Sequence, residues 1–182
     1  MLYYVIFRTP WGYAGLAGTG KTLCRTCLPV PERRAVEQVL LKGLKPSNGD
    51  VWRDEAYLHD LQQRIVAYFE GERVDFTHDP AVDLAQIGPF RQKVLWACRN
   101  IGFGRTTTYS DLARRVGSVN AARAVGGAMA ANPFPLIIPC HRVLRTDGGL
   151  GGFSAIGGTD IKQRMLRHEQ SADSAKTRNS EA

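Results

Sequence analysis

The chain has 182 residues, with 24 Lys+Arg against 17 Asp+Glu and a net charge of +7. Its 43% hydrophobic and 23% charged content is that of a globular protein, which excludes a disordered chain, a collagen-like chain and a coiled-coil rod. No apolar run approaches a bilayer span. The opening MLYYVIFRTPWG lacks the regions of a signal peptide, and four Cys are too few for a disulfide scaffold. A reduced, cytoplasmic chain is therefore expected.

Strands are expected first, over Leu2–Phe7, Tyr13–Ala17 and Thr22–Leu28, with turns at Thr9–Gly12 and Gly18–Gly20. Helical spacing then predicts a helix over Pro31–Leu44 and a longer one over Val51–Glu70, with a last strand at Val74–Thr77. Pro80 and Gly88-Pro89 mark 78–89 as a linker between a domain over 1–77 and a second over 90–170. The second half is helical in texture. Phe90, Val94, Ala97, Cys98 and Ile101 form one stripe; Ser110 can cap a short helix that Gly117 stops; Asn120 can cap another reaching Ala130. Leu136-Ile137-Ile138 is a buried run, Gly148–Gly158 a loop, and Asp160–Glu169 a final helix. The polar residues 171–182 read as a disordered tail. The fold class expected is α+β: an α/β N-terminal domain, then a mostly helical domain containing a helix-turn-helix.

The excess charge sits in one half. Residues 1–88 carry 10 Lys/Arg and 11 Asp/Glu, whereas 89–170 carry 12 Lys/Arg and 4 Asp/Glu. A polyanion partner, nucleic acid first, or a solvated basic face both account for this.

Two motifs are set aside. Gly15–Thr22 matches the P-loop pattern letter for letter, but the residues after it favour strand, and Pro29 and Pro31 forbid the helix that a P-loop needs. A hairpin turn is expected there. Cys24-x-x-Cys27 lacks a second ligand pair, with His78 as the single candidate helper, so no metal is expected.

Pro139-Cys140-His141-Arg142 sets a thiol beside two cations able to favour thiolate. In an extended segment Cys140 and His141 point to opposite sides, so a bridging water suits proton transfer better than direct contact. A core Cys beside a surface His is the bland alternative. Glu169 continues the apolar face of Ile161 and Met165 in the last helical turn, where burial and the helix dipole both disfavour an anion. Either the helix frays there, or Glu169 accepts a hydrogen bond from His141 as in triad logic. The helix Ala121–Ala130 is rich in small residues, with Arg123 the one long side chain on the face that carries Gly126 and Gly127. Close approach to a groove and tight helix packing are both open readings.

Arg123-Ala-Val-Gly-Gly-Ala-Met129, Asn132-Pro133, Pro139-Cys-His-Arg142, Gly151-Gly-Phe-Ser154 and Lys162 through Glu169 resemble the O6-alkylguanine-DNA alkyltransferases. The match runs in order from about Phe90 to Glu169, and the PCHR core in this context is highly specific. The first half resembles that family's ribonuclease-H-like domain in size and strand-helix order. The resemblance implies a suicidal methylated-DNA–protein-cysteine methyltransferase that flips O6-alkylguanine, mainly O6-methylguanine, from the duplex. Cys140 would accept the alkyl group, His141 would activate it through a water, and Glu169 would orient His141. Asn132 would brace the active-site turn and Tyr109 would protonate or hydrogen-bond guanine N3. Arg123 would fill the gap in the stack, with Ala121, Gly126 and Ser110 also at the DNA. Met129, Pro135, Val143 and Ser154 would form the base pocket. The implied partner is double-stranded DNA, bound through the minor groove by a monomer without membrane or cofactor. The protein would work in the cytoplasm on nucleoid DNA, or in the nucleus of a eukaryote. Phe153–Gly158 is two residues longer than the family's usual aromatic-Ser-Gly-Gly, and Gly102 replaces a common Pro. A lesion-binding module without transfer is the competing class, against which Cys140 itself speaks. A Cys-His hydrolase is the third.

Overall fold

The computed structural model describes residues 1–44, 50–78 and 80–179, and the side chains up to residue 172. It resolves into two compact units, one of 1–74 with 78–84 and one of 75–77 with 85–182.

The first unit is built on β1 (Leu2–Thr9), β2 (Gly12–Thr19) and β3 (Thr22–Val30), an antiparallel meander. The P-loop-like residues form the β2–β3 hairpin, where Thr19 pairs with Thr22 and Gly20 takes φ 55°. Helix α1 (Arg33–Leu41) lies against one face. Tyr4, Ile6, Ala17, Cys27 and Val30 meet Val36 and Leu40 there. The approach is close because β2 carries Gly15, where a Cβ would stand 2.6 Å from Val36 and Leu40 side-chain atoms. Val5 and Leu16, paired across β1 and β2, are fully buried on the opposite face.

Four expectations are corrected here. Val51–Arg53 is a short strand, β4, parallel to β1, and the helix α2 begins later, at His59–Glu70. The Asp54–Leu58 turn separates them because Asp54 Oδ1 accepts from Ala56 N at 2.9 Å, an Asx turn that stops helix propagation. Helix α1 is shorter than Pro31–Leu44, and Val74–Thr77 forms no strand. Instead Ala81–Val82, within the expected linker, is strand β5 beside β3, giving the sheet order β4-β1-β2-β3-β5. Asp79 of that linker lies outside the described residues.

The second unit holds α3 (Pro89–Arg99), β6 (Thr107–Thr108), α4 (Tyr109–Arg115), α5 (Ala122–Ala130), β7 (Val143–Leu144) and α6 (Gly158–Asn179). Pro at the first position starts α3, where its missing N–H costs nothing. Val94, Leu95, Cys98, Leu112, Val125 and Met165 are fully buried. The cap of α4 is Thr108 rather than Ser110: its Oγ1 accepts from Asp111 N at 3.0 Å. Helix α5 starts after Ala121 with no side-chain cap, so Asn120 does not serve as one. Helix α6 runs on to Asn179, which corrects the disordered reading of 171–179; residues 180–182 lie outside the description. No described helix is long and apolar enough to cross a membrane.

Candidate active site

The Pro-rich segment after α5 folds back on itself. Leu136 sits at φ 77°, a conformation that costs a residue with a side chain about 1–3 kcal/mol and persists only where its surroundings enforce it. Asn132 does the enforcing. It accepts from Phe134 N at 3.0 Å and donates to Ile138 O at 2.9 Å, joining both limbs of the turn. The same Nδ2 lies 3.2 Å from Cys140 Sγ. One buried amide thus fixes the turn and the thiol together.

Cys140, His141 and Arg142 form a single 3₁₀ turn, not the extended segment expected. The turn forms because Pro139 O accepts from Arg142 N at 2.9 Å. All three residues are buried. Burial pushes the Cys140 thiol up, and the Asn132 hydrogen bond and the charge of Lys162 oppose this without reversing it. The group is therefore a thiol at rest and needs a base. This corrects the expectation that His141 and Arg142 favour thiolate.

The base stands next in the chain. His141 is 0% exposed, and its Nε2 lies 2.8 Å from Glu169 Oε1. Its Nδ1 is buried with no hydrogen-bond partner among the described residues. Burial holds the imidazole below its ordinary value, with Glu169 acting in the opposite sense. A neutral ring that donates from Nε2 keeps its lone pair on Nδ1.

Glu169 is buried rather than frayed. Burial pushes its carboxyl up, but His141 and Arg142 outweigh this and hold it well below the usual carboxylate range. Arg142 Nη2 donates to Oε1 at 2.8 Å, Arg142 Nε to Oε2 at 3.0 Å, and Gly104 N to Oε2 at 3.0 Å.

Lys162 is a second buried cation the sequence reading gave no role. It is 0% exposed; Nζ donates to Val143 O at 2.6 Å, to Leu150 O, and to Tyr109 Oη at 3.4 Å. Burial lowers it to about 8. The Tyr109 ring packs against Gly151, where a Cβ would stand 2.7 Å from the hydroxyl and where φ is +67°. Only glycine satisfies both constraints.

A cavity of about 730 Å³ opens beside Tyr109, with Ser110, Arg123, Gly126, Phe153 and Ser154 also in its wall; Cys140, His141 and Lys162 do not line it. The structure does not bring every expected site residue to it. Of the expected pocket residues, Met129 is buried on α5, Val143 is buried with its carbonyl on Lys162, and Pro135 bridges to Ile138; Ala121, expected at the DNA, is half-buried before α5. None of these four lines the cavity. Gly126 and Gly127 have no atom within 4 Å of where a Cβ would be, so helix packing does not explain them. Among the described residues, no cluster of His, Cys, Asp or Glu could hold a metal.

Residues 89–171 match the family model of the 6-O-methylguanine DNA methyltransferase DNA-binding domain. The chain is 35% identical to the methylated-DNA–protein-cysteine methyltransferase of Methanosarcina acetivorans, over 93% of this chain and 99% of that one. Its fold is similar to the crystal structure of Mycobacterium tuberculosis O6-methylguanine methyltransferase, with a TM-score of 0.75, 32% identity and 94% of each chain covered. It is likewise similar to M. tuberculosis OGT in complex with DNA, with a TM-score of 0.76, 32% identity, and 93% of this chain and 94% of that one covered.

Proposed function

The chain belongs to the methylated-DNA–protein-cysteine methyltransferase family, and on that premise we propose that it repairs DNA by taking the alkyl group of O6-alkylguanine onto Cys140. The observation that carries this reading is a buried thiol next in the chain to a buried imidazole that is held by Glu169 at Nε2 and has no hydrogen-bond partner at Nδ1 among the described residues. The thiol proton passes to His141 Nδ1 through a water, and Glu169 holds the ring in the accepting tautomer. The thiolate sulfur then bonds to the alkyl carbon as the carbon–O6 bond breaks. Its electron pair returns to the guanine, and Tyr109 supplies a proton at N3. Lys162 donates to the Tyr109 oxygen, which leaves the phenol proton free for this. The product is a thioether and guanine, with no route back to thiol, so each molecule acts once.

The target carbon is shielded inside duplex DNA, so the nucleotide must be extruded. The cavity beside Tyr109 has the size of a small-molecule site and receives it, with Ser154 at its edge. Arg123, exposed on the cavity rim, fills the gap left in the stack. Helices α4 and α5 act as a helix-turn-helix on the minor groove, and the open faces of Gly126 and Gly127 support close backbone approach. The relative solved in complex with DNA supports DNA as the partner. The strand order β4-β1-β2-β3, with β1 and β4 parallel, supports a ribonuclease-H-like reading of the first unit. The protein acts as a monomer.

Cys140→Ala tests the assignment. The variant is expected to lose all transfer while still binding a duplex containing O6-methylguanine. Transfer that persists in the variant would overturn it.

A further inference from the structure

We propose that Arg142 is a positioning residue: by clamping Glu169 as a carboxylate and sharing its charge, it keeps His141 neutral, with the proton on Nε2 and Nδ1 open for the thiol of Cys140. The inference rests on the roles proposed above for Cys140 and His141.

Adjacency in sequence sets Arg142 beside the thiol, but the 3₁₀ turn sends its side chain elsewhere. The guanidinium meets Glu169 side-on, with Nε and Nη2 on the two oxygens at 3.0 and 2.8 Å. Its Nη1 donates to Ile101 O, and its Cζ lies 5.8 Å from the centre of the Phe103 ring. A fork with three bonded nitrogens has one orientation, and so has the carboxylate it grips. Oε1 is then the atom offered to His141 Nε2.

Charge makes the clamp more than a brace. Arg142 and Glu169 together are neutral, so a neutral His141 leaves the buried trio without net charge. Without Arg142, the carboxylate would be buried with His141 as its main partner. A buried carboxylate left so favours an imidazolium beside it. Imidazolium carries a proton on both nitrogens and cannot take one from a thiol. Glu169 on α6 thus favours the charged ring, whereas Arg142 on its own turn and Lys162 on α6 disfavour it. The other titratable groups nearby, Cys140, Cys98 on α3 and Tyr109 on α4, are uncharged at neutral pH, each being raised by burial.

The test compares the wild type with Arg142→Met and with the double variant Arg142→Met/Glu169→Gln. His141 is titrated by NMR in each full-length protein, and single-turnover alkyl transfer is followed against pH. In Arg142→Met, the His141 titration and the acid limb of the rate profile should both move up by one pH unit or more. In the double variant, which removes both charges, the titration should return to within half a unit of wild type. A melting-temperature loss in Arg142→Met with neither curve moved would mean that Arg142 is a structural brace alone. If Arg142→Met does not fold, the double variant decides: a titration one unit or more above wild type overturns the proposal. The NMR titration needs no substrate. Variants that titrate as expected beside a wild type that transfers no alkyl group would therefore count against the proposed function and leave the effect of Arg142 on His141 standing.

Discussion

Replacing Gly126 with leucine should strengthen the fold and weaken DNA binding at once. Gly126 lies in the interior of α5, and a Cβ built there meets no atom within 4 Å. A side chain can therefore leave the helix at this point without displacing a neighbouring element at its Cβ, and leaving glycine gains about 0.7–1 kcal/mol of helix propensity. For a chain of this size that corresponds to a rise of about 2–4 °C in melting temperature. The same side chain would project from the cavity wall into the space that the proposed reading gives to the DNA. Holding the helix off the groove loses several contacts at once, and a loss of only about 1.4 kcal/mol already weakens binding tenfold. The assay is a thermal melt alongside a duplex-binding titration at fixed salt. Gly126→Leu should melt higher and bind at least tenfold more weakly, and Gly126→Ala should melt higher with a smaller binding loss. A lower melting temperature would refute the open-face reading. An unchanged affinity with a raised melting temperature would remove α5 from the DNA interface.

Asn132→Ala deletes one buried amide that joins Phe134 N, Ile138 O and Cys140 Sγ, and unpaired buried groups cost about 1–3 kcal/mol each, so chemical denaturation should register a loss of about 2–4 kcal/mol. Thr108→Ala should cost about 1 kcal/mol through loss of the α4 cap, whereas Ser110→Ala should stay within about 0.5 kcal/mol; the reverse order would move the cap back to Ser110. Stability should fall on acidification below pH 6.5. The folded His141 binds a proton less readily than its unfolded value of 6.5, and the folded Glu169 carboxyl lies below its unfolded value of 4.5, so at low pH the unfolded chain takes up more protons. The Glu169 contribution is present above pH 4.5 and is lost as pH falls toward the lower folded value. Melts of wild type and Glu169→Gln between pH 7 and 3 check this: the variant should be less stable at pH 7 and lose less on acidification.

Much of this was legible in the chain because local rules and global fold agree. The β1–β2–β3 meander follows from apolar runs separated by Gly and Pro turns, and Pro29 kept the P-loop match from being taken for a helix. Glu169 betrayed itself by breaking the apolar stripe of α6. Lys162 lies three residues before Met165 on the same inward face and carried the same signal, but a lysine is readily assigned to solvent. Three features needed the third dimension. Arg142 turns toward Glu169 because of a single 3₁₀ turn, which no periodicity announces. Strands β4 and β5 are three and two residues long, too short for alternation to register, and exist through pairing with β1 and β3. The emptiness around Gly126 and Gly127 speaks against helix packing at these two positions, which composition alone left open.

The central claim is that Cys140 is consumed as it repairs. Intact-protein mass, recorded before and after incubation with a duplex containing O6-methylguanine and followed by peptide mapping, addresses it directly. The account predicts a gain of one methyl group per molecule, on Cys140, with no further turnover when DNA is in excess. Tight binding of the lesion with no gain in mass, or a methyl group found on another residue, would contradict it.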